Sequence, residues 1–408
     1  NVRNGLPLLL ALWPLLALAR IRGHPRAQRV GPGFDRVEAL TCALFSSLLL
    51  AGQRFMGLYA LAAAVYVARD LDEWARGVRL PRRIAAPWVR AALAAAACVL
   101  VTWPDMSRPE YAIRLRVPGD QFPVAACDFI QRHDLHGRFF NQYDFGGYLC
   151  FRFWPRRDQL PFMGIHQEGS RELRDLYMSA LSRRAAWREL NERCRFDVLV
   201  LIREPVRGDH LLQLAERDTA WARVFADDAA CVYVRPSGPF ADLAADSAYH
   251  ALPADPGDFV ALARARLGDP ALRGAVEREL WREAAGSPAH AQAMSDLSDL
   301  AYLENRPERA RRFLEEALRI APLMGGVREK LGLLALAQGR PREALRWFEE
   351  EWRIVPWPGG LDFHRGQVAA AEGDLQRARD SYERELRRDP ANEEARDSLA
   401  ALDRRERP

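Results

Sequence analysis

The chain has 408 residues, of which 49% are hydrophobic and 28% are charged, and its formal net charge is +4. That length allows about two to four domains of roughly 100–200 residues each, and the mean hydropathy of −0.27 is that of an ordinary soluble protein. Residues 1–104 carry a net charge of +8 and the rest of the chain carries −4. The basic excess is therefore local, and the acidic balance elsewhere argues against nucleic acid as a partner.

Three apolar stretches near the start of the chain predict membrane-spanning helices. They cover residues 5–19, 37–68 and 84–103. A span needs about 20 helical residues, so the last stretch is one span and the middle one is a helical hairpin with its turn near Gly52. The first stretch begins with the chain, which indicates a fragment. We therefore predict transmembrane α-helices over residues 1–104, as the C-terminal part of a larger membrane domain.

The arginines between these stretches predict their orientation. Five arginines lie within residues 20–36 and five within residues 69–83, and arginine-rich loops remain in the cytoplasm. Residues after about 104 are then expected on the external, periplasmic side of the inner membrane. The alternative is that the same stretches are buried helices of an all-α domain.

Short apolar runs alternate with amphipathic helical patterns in the next part of the chain, which predicts an α/β sandwich domain over residues 105–236 with a mostly parallel sheet. Strands are predicted at residues 138–141, 159–164 and 196–202. The last of these is apolar throughout, as in a strand buried on both faces. Residues 221–236 predict a hairpin that turns at Asp227 and Asp228.

Polar residues and glycines follow two of the predicted strands. In open α/β sheets, ligands bind beyond the carboxyl ends of the strands, and paired glycines allow close approach of a backbone. The candidate binding residues are Asn141, Tyr143, Asp144, Gly146, Gly147, Tyr148, His166, Glu168 and Arg171. The alternative is that the glycines form a tight turn and the polar groups satisfy the loop backbone.

The segment FFNQYDFGGYLCFRFWP contains the pattern N-x-x-x-x-G-G-Y-L. It resembles a segment found outside the membrane in bacterial multi-pass proteins of the type C glycosyltransferase-like group. The apolar hairpin that carries Arg54 resembles the closing transmembrane helices of the same proteins, so the resemblance covers roughly residues 5–236. It departs from the group in the loop GIHQEGSREL, where relatives usually have Asp-Gly-Arg.

The resemblance implies transfer of a sugar from a polyprenyl-phosphate donor to an acceptor outside the cytoplasmic membrane. In that group the catalytic carboxylate lies in the first external loop, a region that this sequence does not contain. The resemblance therefore implies no catalytic residue here, and no cofactor is predicted.

Cysteines and histidines give weaker indications. Four cysteines lie in the predicted external domain, namely Cys127, Cys150, Cys194 and Cys231. An oxidising compartment permits disulfides among them in any of three pairings, and the alternative is buried free thiols. His133 and His136 have the spacing H-x-x-H without a third ligand, so no metal site is predicted.

A period of 34 residues extends through the C-terminal part of the chain. The recurring sets are Pro322, Pro356 and Pro390; Ala301, Ala335 and Ala369; Ala310, Ala344 and Ala378; Asn305, Gly339 and Gly373; and Leu314, Phe348 and Tyr382. This pattern is similar to the tetratricopeptide repeat (TPR), in which small residues let two helices approach and a large residue fills the gap. Glu351 and Glu385 depart from it, because the equivalent Ala317 is small, and we expect them to loosen the packing or to face solvent.

We therefore predict an all-α TPR solenoid over residues 257–408. Clear repeats are expected at residues 291–324, 325–358 and 359–392, with a degenerate repeat at 257–290, a capping helix at 393–404 and a linker at 237–256. Such arrays bind extended peptides or partner domains in a groove. Arg328, His364 and Arg365 are candidates for lining it, and a solvated charged face is the alternative.

Two hypotheses for function follow. The first is a fragment of an integral membrane protein that resembles polyprenyl-phosphate-sugar-dependent glycosyltransferases and uses its TPR groove for contact with a protein partner. The second is a non-enzymatic, membrane-anchored TPR scaffold for an envelope complex.

Overall fold

The computed structural model describes residues 6–21, 36–52, 55–77, 86–106, 117–164, 169–203, 208–355 and 360–406. The chain divides into two compact units, Asn1–Leu115 and Arg116–Pro408. The first unit contains the helices α1 (Leu6–Ile21), α2 (Arg36–Ala51), α3 (Met56–Gly77) and α4 (Pro87–Met106).

Aromatic and ionic contacts join α1, α2 and α3. The ring of Trp13 on α1 stacks on the ring of Tyr66 on α3, with 5.4 Å between their centroids. Helices α2 and α3 pack against each other as a hairpin with Gly52 in the turn. Arg69 on α3 forms an ion pair with Glu38 on α2, whose side chain is almost fully buried.

The prediction of transmembrane helices is wrong for the part of the chain that the structure describes. No helix there has both the length and the apolar character needed to cross a bilayer. Helices α1 and α2 have 16 residues each, which is roughly 24 Å of helix against a hydrocarbon core of about 30 Å. Helix α3 is longer, but its second half carries Arg69, Asp70, Asp72 and Glu73. Much of α4 is alanine, which contributes little apolar surface per residue.

The second unit begins with a four-stranded sheet. Its strands are β1 (Phe139–Asn141), β2 (Val198–Ile202), β3 (Ala222–Ala226) and β4 (Ala230–Val234), in the order β1-β2-β4-β3. Strands β1 and β2 are parallel, whereas β4 is antiparallel to both β2 and β3. The prediction of a mostly parallel sheet is therefore wrong, because the hairpin of β3 and β4 turns at Asp227 and Asp228 and pairs with β2. Residues 159–164, expected as a strand, do not join the sheet.

Helices cover both faces of this sheet. They are α5 (Val124–Arg132), α6 (Tyr143–Phe153), α7 (Arg171–Ala180), α8 (Arg184–Cys194), α9 (Leu211–Glu216) and α10 (Ala241–Ser247). Side chains of β2 alternate between two cores. Val198 and Val200 pack with α5 and α6, and Leu199 and Leu201 pack with α7, α8 and α9. Strand β2 is thus buried on both faces, which its uniformly apolar sequence predicted.

The rest of the second unit is helical. Its helices are α11 (Pro256–Arg266), α12 (Pro270–Gly286), α13 (Ala291–Leu303), α14 (Pro307–Ile320), α15 (Val327–Ala337), α16 (Pro341–Ile354), α17 (Leu361–Ala371), α18 (Leu375–Arg388) and α19 (Glu393–Glu406). Helices α13 and α14, α15 and α16, and α17 and α18 form three antiparallel pairs. Helices α11 and α12 do not form such a pair, and α12 packs on α13 and β3 instead.

In the second and third pairs, a glycine faces a large ring. A Cβ atom added at Gly332 would lie 2.4 Å from the ring of Phe348, and one added at Gly366 would lie 2.4 Å from the ring of Tyr382. In the first pair the equivalent residues are Ser298 and Leu314. The sequence pattern identified the large residues, but not the glycines that make room for them.

A buried polar network joins the sheet to the helical array. Arg203, which directly follows β2, forms an ion pair with Glu283 on α12, and both side chains are about 1% exposed or less. The guanidinium of Arg203 also donates to the carbonyl oxygen of Asp227 at 3.1 Å. The Asp227 carboxylate accepts from Oγ of Ser287 at 2.9 Å, and burial raises the pKa of Asp227 to about 7. Residues 237–256, expected as a linker, contain α10 and belong to the same compact unit.

Candidate functional site

The first helices of the three pairs, α13, α15 and α17, lie next to one another. Lys330 on α15 extends to α13, where its ammonium group lies 2.8 Å from Oδ2 of Asp299 and 2.9 Å from Oγ of Ser295. His364 on α17 extends to α15, where its Nε2 lies 3.2 Å from Oε1 of Glu329. Lys330 and His364 are 34 residues apart and so occupy equivalent positions. The residue at this repeat position therefore connects its own first helix to the preceding first helix in both cases.

Large apolar side chains are exposed on these helices. Tyr302 and Leu303 at the end of α13 are 56% and 49% exposed, and Leu333 on α15 is 42% exposed. We name this surface the first-helix face and define it by Asp299, Tyr302, Leu303, Lys330, Leu333, His364 and Gln367. Exposed apolar residues that gather on one surface, with polar groups around them, are typical of an interaction site.

The charges on the first-helix face are paired within the chain. Lys330 is paired with Asp299, and the hydrogen bond with His364 lowers the pKa of Glu329. Beside them Asp296 is 2% exposed, and burial raises the pKa of Asp296 to about 8. Oδ1 of Asp296 accepts from the side chain of Gln292 at 2.8 Å, whereas its Oδ2 has no hydrogen-bond partner. A surface with paired charges suits an uncharged, apolar segment better than a strongly charged one.

A carboxylate from outside the helix caps the N-terminus of each first helix. Glu351 and Glu385 each accept a backbone hydrogen bond at 2.6 Å, from the residues that precede α15 and α17 respectively. The equivalent residue in the first pair is Ala317, and there Asp228 of the β3–β4 turn accepts from the backbone of Ala291 at 2.6 Å. A negative charge at this end of a helix is favourable. For Glu385 the expectation of a solvent-facing side chain is wrong, because it is 0% exposed. Glu351 is half-buried, and it has the same capping role.

The three residues expected to line the groove have different surroundings. Arg328 donates to a backbone carbonyl in the loop before α15 at 2.8 Å. Arg365 donates to Glu349 on α16 at 3.2 Å. Its side chain is therefore directed towards α16, which is the second helix of the preceding pair. His364 alone of the three belongs to the first-helix face, where its ring stacks on Phe348 with 4.1 Å between centroids.

Asn141 and Tyr143, expected at a binding cleft, are part of a hydrogen-bond network at the end of β1. The side-chain amide of Asn141 donates to the carbonyl of Met163 at 2.7 Å, and its oxygen accepts from the backbone of Phe162 at 2.9 Å. The hydroxyl of Tyr177 accepts from the backbone N–H of Tyr143 at 2.8 Å and donates to the carbonyl of Asn141 at 3.2 Å. These groups hold the segment around residue 163 and α7 against β1.

The two glycines of the pattern lie on α6 and differ from each other. A Cβ atom at Gly146 would lie 2.3 Å from the carbonyl oxygen of Met163, whereas Gly147 has nothing within 4 Å of that position. Gly146 therefore permits a close approach of two backbones. Asp144 is exposed in the first turn of α6, and Tyr148 on the same helix is half-buried.

The remaining predicted binding residues are dispersed. Arg171 is exposed at the start of α7, with its Nε 3.9 Å from a carboxylate oxygen of Asp175. His166 and Glu168 lie outside the described residues. The structure therefore brings Asn141 and Tyr143 together through Tyr177, and it places Asp144 and Arg171 on the surface. That the predicted binding residues hold a ligand stays a prediction.

The four cysteines of the second unit are free thiols, namely Cys127, Cys150, Cys194 and Cys231. Burial raises the pKa of Cys127 and Cys231 to about 12, so both remain protonated at neutral pH. In the described part of the chain, no group of His, Cys, Asp and Glu side chains has the arrangement of a metal site.

No protein-family model matches this sequence. No curated protein matches it either. The resemblances to the type C glycosyltransferase-like group and to the tetratricopeptide repeat therefore stay predictions that rest on the residues quoted for them.

Proposed function

We propose that the helical array binds an extended segment of a partner protein on the first-helix face. The observation that supports this is the exposure of Tyr302, Leu303 and Leu333 on adjacent first helices, beside charges that are already paired. Arrays of the tetratricopeptide type, which this sequence resembles, present extended surfaces of this kind to their partners.

The chemistry of the face defines the partner segment. Leu333 and Tyr302 offer apolar contact area, so the segment needs apolar or aromatic side chains at intervals. The ammonium group of Lys330 already donates to Asp299 and Ser295, so the apolar contacts are expected to carry the binding. A segment rich in like charges would gain little, because each charge on the face already has a partner.

Selection of peptides from a random display library on the full chain tests this proposal. The selected peptides are then measured against the variants Leu333→Glu and Tyr302→Glu, which place a charge in the apolar contact. We expect the affinity to fall about tenfold or more, since the interaction lost is worth at least about 1.4 kcal/mol. Val260→Glu is the matched control, because Val260 is also 42% exposed but lies on α11, outside the face.

Cross-linking provides a second measurement that does not depend on a substitution. Lys330 is the only lysine of the sequence, so an amine-reactive photo-cross-linker labels the first-helix face once the N-terminal amine has been blocked. We expect bound peptides to be captured from this position. Peptides that bind all three variants equally and are not captured from Lys330 would contradict the proposal.

The proposal keeps the protein-binding part of the scaffold hypothesis and leaves out its membrane anchor. Sugar transfer from a polyprenyl-phosphate donor is implied by the resemblance alone. It stays a prediction, and no residue of the described chain is given a role in it.

A further inference from the structure

A cleft of about 780 Å³ lies beside the edge strand β3 in the second unit. Its walls are the end of α9, the start of β3, residues 248–253 and α11. Sites for small molecules commonly have volumes of about 300–1,000 Å³. None of the residues of the first-helix face lines this cleft, so a ligand here would be independent of the partner segment.

Three side chains from one face of the sheet line the cleft. Trp221 directly precedes β3, and Arg223 is two residues further on, so their side chains point to the same side of the strand. Tyr233 on β4 is the direct cross-strand neighbour of Arg223 and lies on that face too. The sheet therefore presents an indole, a guanidinium and a phenol together.

Two of these side chains are buried and have N–H groups without acceptors. Arg223 is 3% exposed, and although its Nη2 donates to the carbonyl of Leu252, its Nε and Nη1 have no hydrogen-bond partner. Trp221 is 6% exposed, and its Nε1 also lacks a partner. Buried donors are nearly always paired in folded proteins, so this group of donors requires an explanation.

Glu216 does not provide the missing acceptors. Its Oε2 lies 3.7 Å from Nη1 of Arg223, which is too long for a hydrogen bond. The two oxygens of Glu216 accept instead from the hydroxyl of Tyr233 at 2.8 Å and from the backbone of Ala254 at 3.2 Å. The wall thus contains a compensating charge, but Nε and Nη1 of Arg223 and Nε1 of Trp221 stay without an acceptor.

The donors and the rings around them define the ligand. A carboxylate offers two coplanar oxygens, which match the planar donors of a guanidinium. Trp221, Tyr249 and Leu262 line the cleft and offer apolar contact to the body of such a ligand. The ring of Tyr249 also has the guanidinium groups of Arg223 and Arg282 over it, with Cζ atoms 4.7 Å and 3.9 Å from its centroid. A dianionic phosphate is disfavoured because the Glu216 carboxylate lies beside the guanidinium. We propose that the cleft binds a small planar carboxylate, whose oxygens accept from Arg223 and Trp221.

Calorimetric titration of the full chain with benzoate tests the proposal, with benzamide and phenyl phosphate as the comparison ligands. We expect benzoate to bind and to raise Tm, and benzamide, which has the same shape without the charge, to bind at least about tenfold more weakly. Absence of both binding heat and a Tm shift at millimolar benzoate would overturn the proposal. Benzamide binding as tightly as benzoate, or phenyl phosphate binding more tightly, would overturn it too.

Two variants locate the site. Arg223→Lys keeps the charge but removes the planar donors, and Trp221→Phe removes the indole N–H together with one ring while it keeps an aromatic side chain. We expect each to weaken benzoate binding by about tenfold, as for loss of a hydrogen bond to a charged group. Trp221→Phe keeps the test decisive if the substitution of Arg223 prevents folding. Trp281→Phe is the control, since Trp281 lies on α12 against Phe313 and does not line the cleft. Benzoate affinity unchanged in Trp221→Phe would contradict the assignment.

Discussion

Three buried carboxylates of the second unit differ in how their oxygens are satisfied. Asp227 accepts hydrogen bonds from Ser287 and from the backbone of its own turn. Glu385 accepts from the backbone before α17 through its Oε1, and its Oε2 has no hydrogen-bond partner. Asp296 also has one oxygen without a partner, and its other oxygen accepts only from the side chain of Gln292. An ionised oxygen left unpaired in a buried position is costly. The protonated form of Asp296 is therefore favoured.

Thermal stability is expected to fall with rising pH because of Asp296. Its pKa of about 8 in the folded chain is above the value of about 3.9 for an unfolded chain. Between these values the folded protein holds the proton more tightly, so the free energy of unfolding decreases by up to about 1.4 kcal/mol per pH unit. Asp296→Asn removes this titration. We expect the change in Tm caused by Asp296→Asn to be more positive at about pH 9 than at about pH 5.5, as measured by thermal unfolding at both pH values.

The charged groups around Asp296 are Lys330 on α15, Arg203 after β2, Asp299 on its own helix and Glu283 on α12. Asp380→Asn on the exposed surface of α18 is the control, and its effect on Tm should be the same at both pH values. An effect of Asp296→Asn that does not change with pH would show that its proton is not involved.

The capping role of Glu385 predicts a specific loss of stability. Glu385→Ala leaves a backbone N–H before α17 without its acceptor, and we expect a loss of about 1–3 kcal/mol in the free energy of unfolding, measured with urea. Glu385→Gln keeps an acceptor oxygen and should lose less. Glu383→Ala on the same helix removes only an exposed charge and should cost under about 1 kcal/mol. Equal losses for the two alanine variants would rule out the cap.

At the scale of the helix pair, the sizes of facing side chains must be complementary. Gly366→Ala puts a methyl group 2.4 Å from the ring of Tyr382, and we expect it to cost about 1–3 kcal/mol through overpacking. Adding Tyr382→Leu should recover part of the loss, because Leu314 occupies this position in the first pair. Urea unfolding of the single and double variants measures both.

A second glycine provides the control for this prediction. Gly274 lies inside α12, with nothing within 4 Å of the position of an added Cβ atom. Gly274→Ala should stabilise the protein by about 0.5–1 kcal/mol through helix propensity alone. If both glycine substitutions have the same sign, steric contact with Tyr382 is not what requires glycine at 366.

At the scale of the whole molecule, the sheet and the helical array are joined by buried ionic contacts. Arg203→Met leaves Glu283 as an unpaired buried charge, and we expect a loss of about 3–5 kcal/mol. The double variant Arg203→Met, Glu283→Met removes both charges and should recover most of that loss. The difference is measured by urea unfolding, and equal stabilities of the single and double variants would contradict the pairing.

The same contacts predict cooperative unfolding of the second unit. Asp228 caps α13 from the β3–β4 turn, and Asp227 accepts from Ser287 between α12 and α13. Hydrogen exchange measured by peptide in urea follows the array through α15 and the sheet domain through β2 as two separate signals. We expect transitions of the second unit followed by the two signals to coincide in urea. Separate midpoints would show that the junction contributes little.

The sequence by itself determined the features that depend on local periodicity. The apolar run of β2 predicted burial on both faces, the residues around Asp227 predicted a hairpin, and the 34-residue spacing placed the helix pairs and their large residues. Each of these signals lies within one strand, one turn or one repeat, where side-chain spacing and turn geometry are enough.

Tertiary structure decided which residues meet across elements. The cap of α13 comes from Asp228, because Ala317 cannot provide it. The polar residues after β1 satisfy the backbone of their neighbours, and α3 pairs Arg69 with Glu38 although its sequence predicted a span. The donors of Trp221 and Arg223 gather at one cleft only when β3 is folded. Sequence spacing does not encode these contacts, because the partners are far apart in the chain. The energy of each contact also depends on whether a buried polar group has a hydrogen-bond partner.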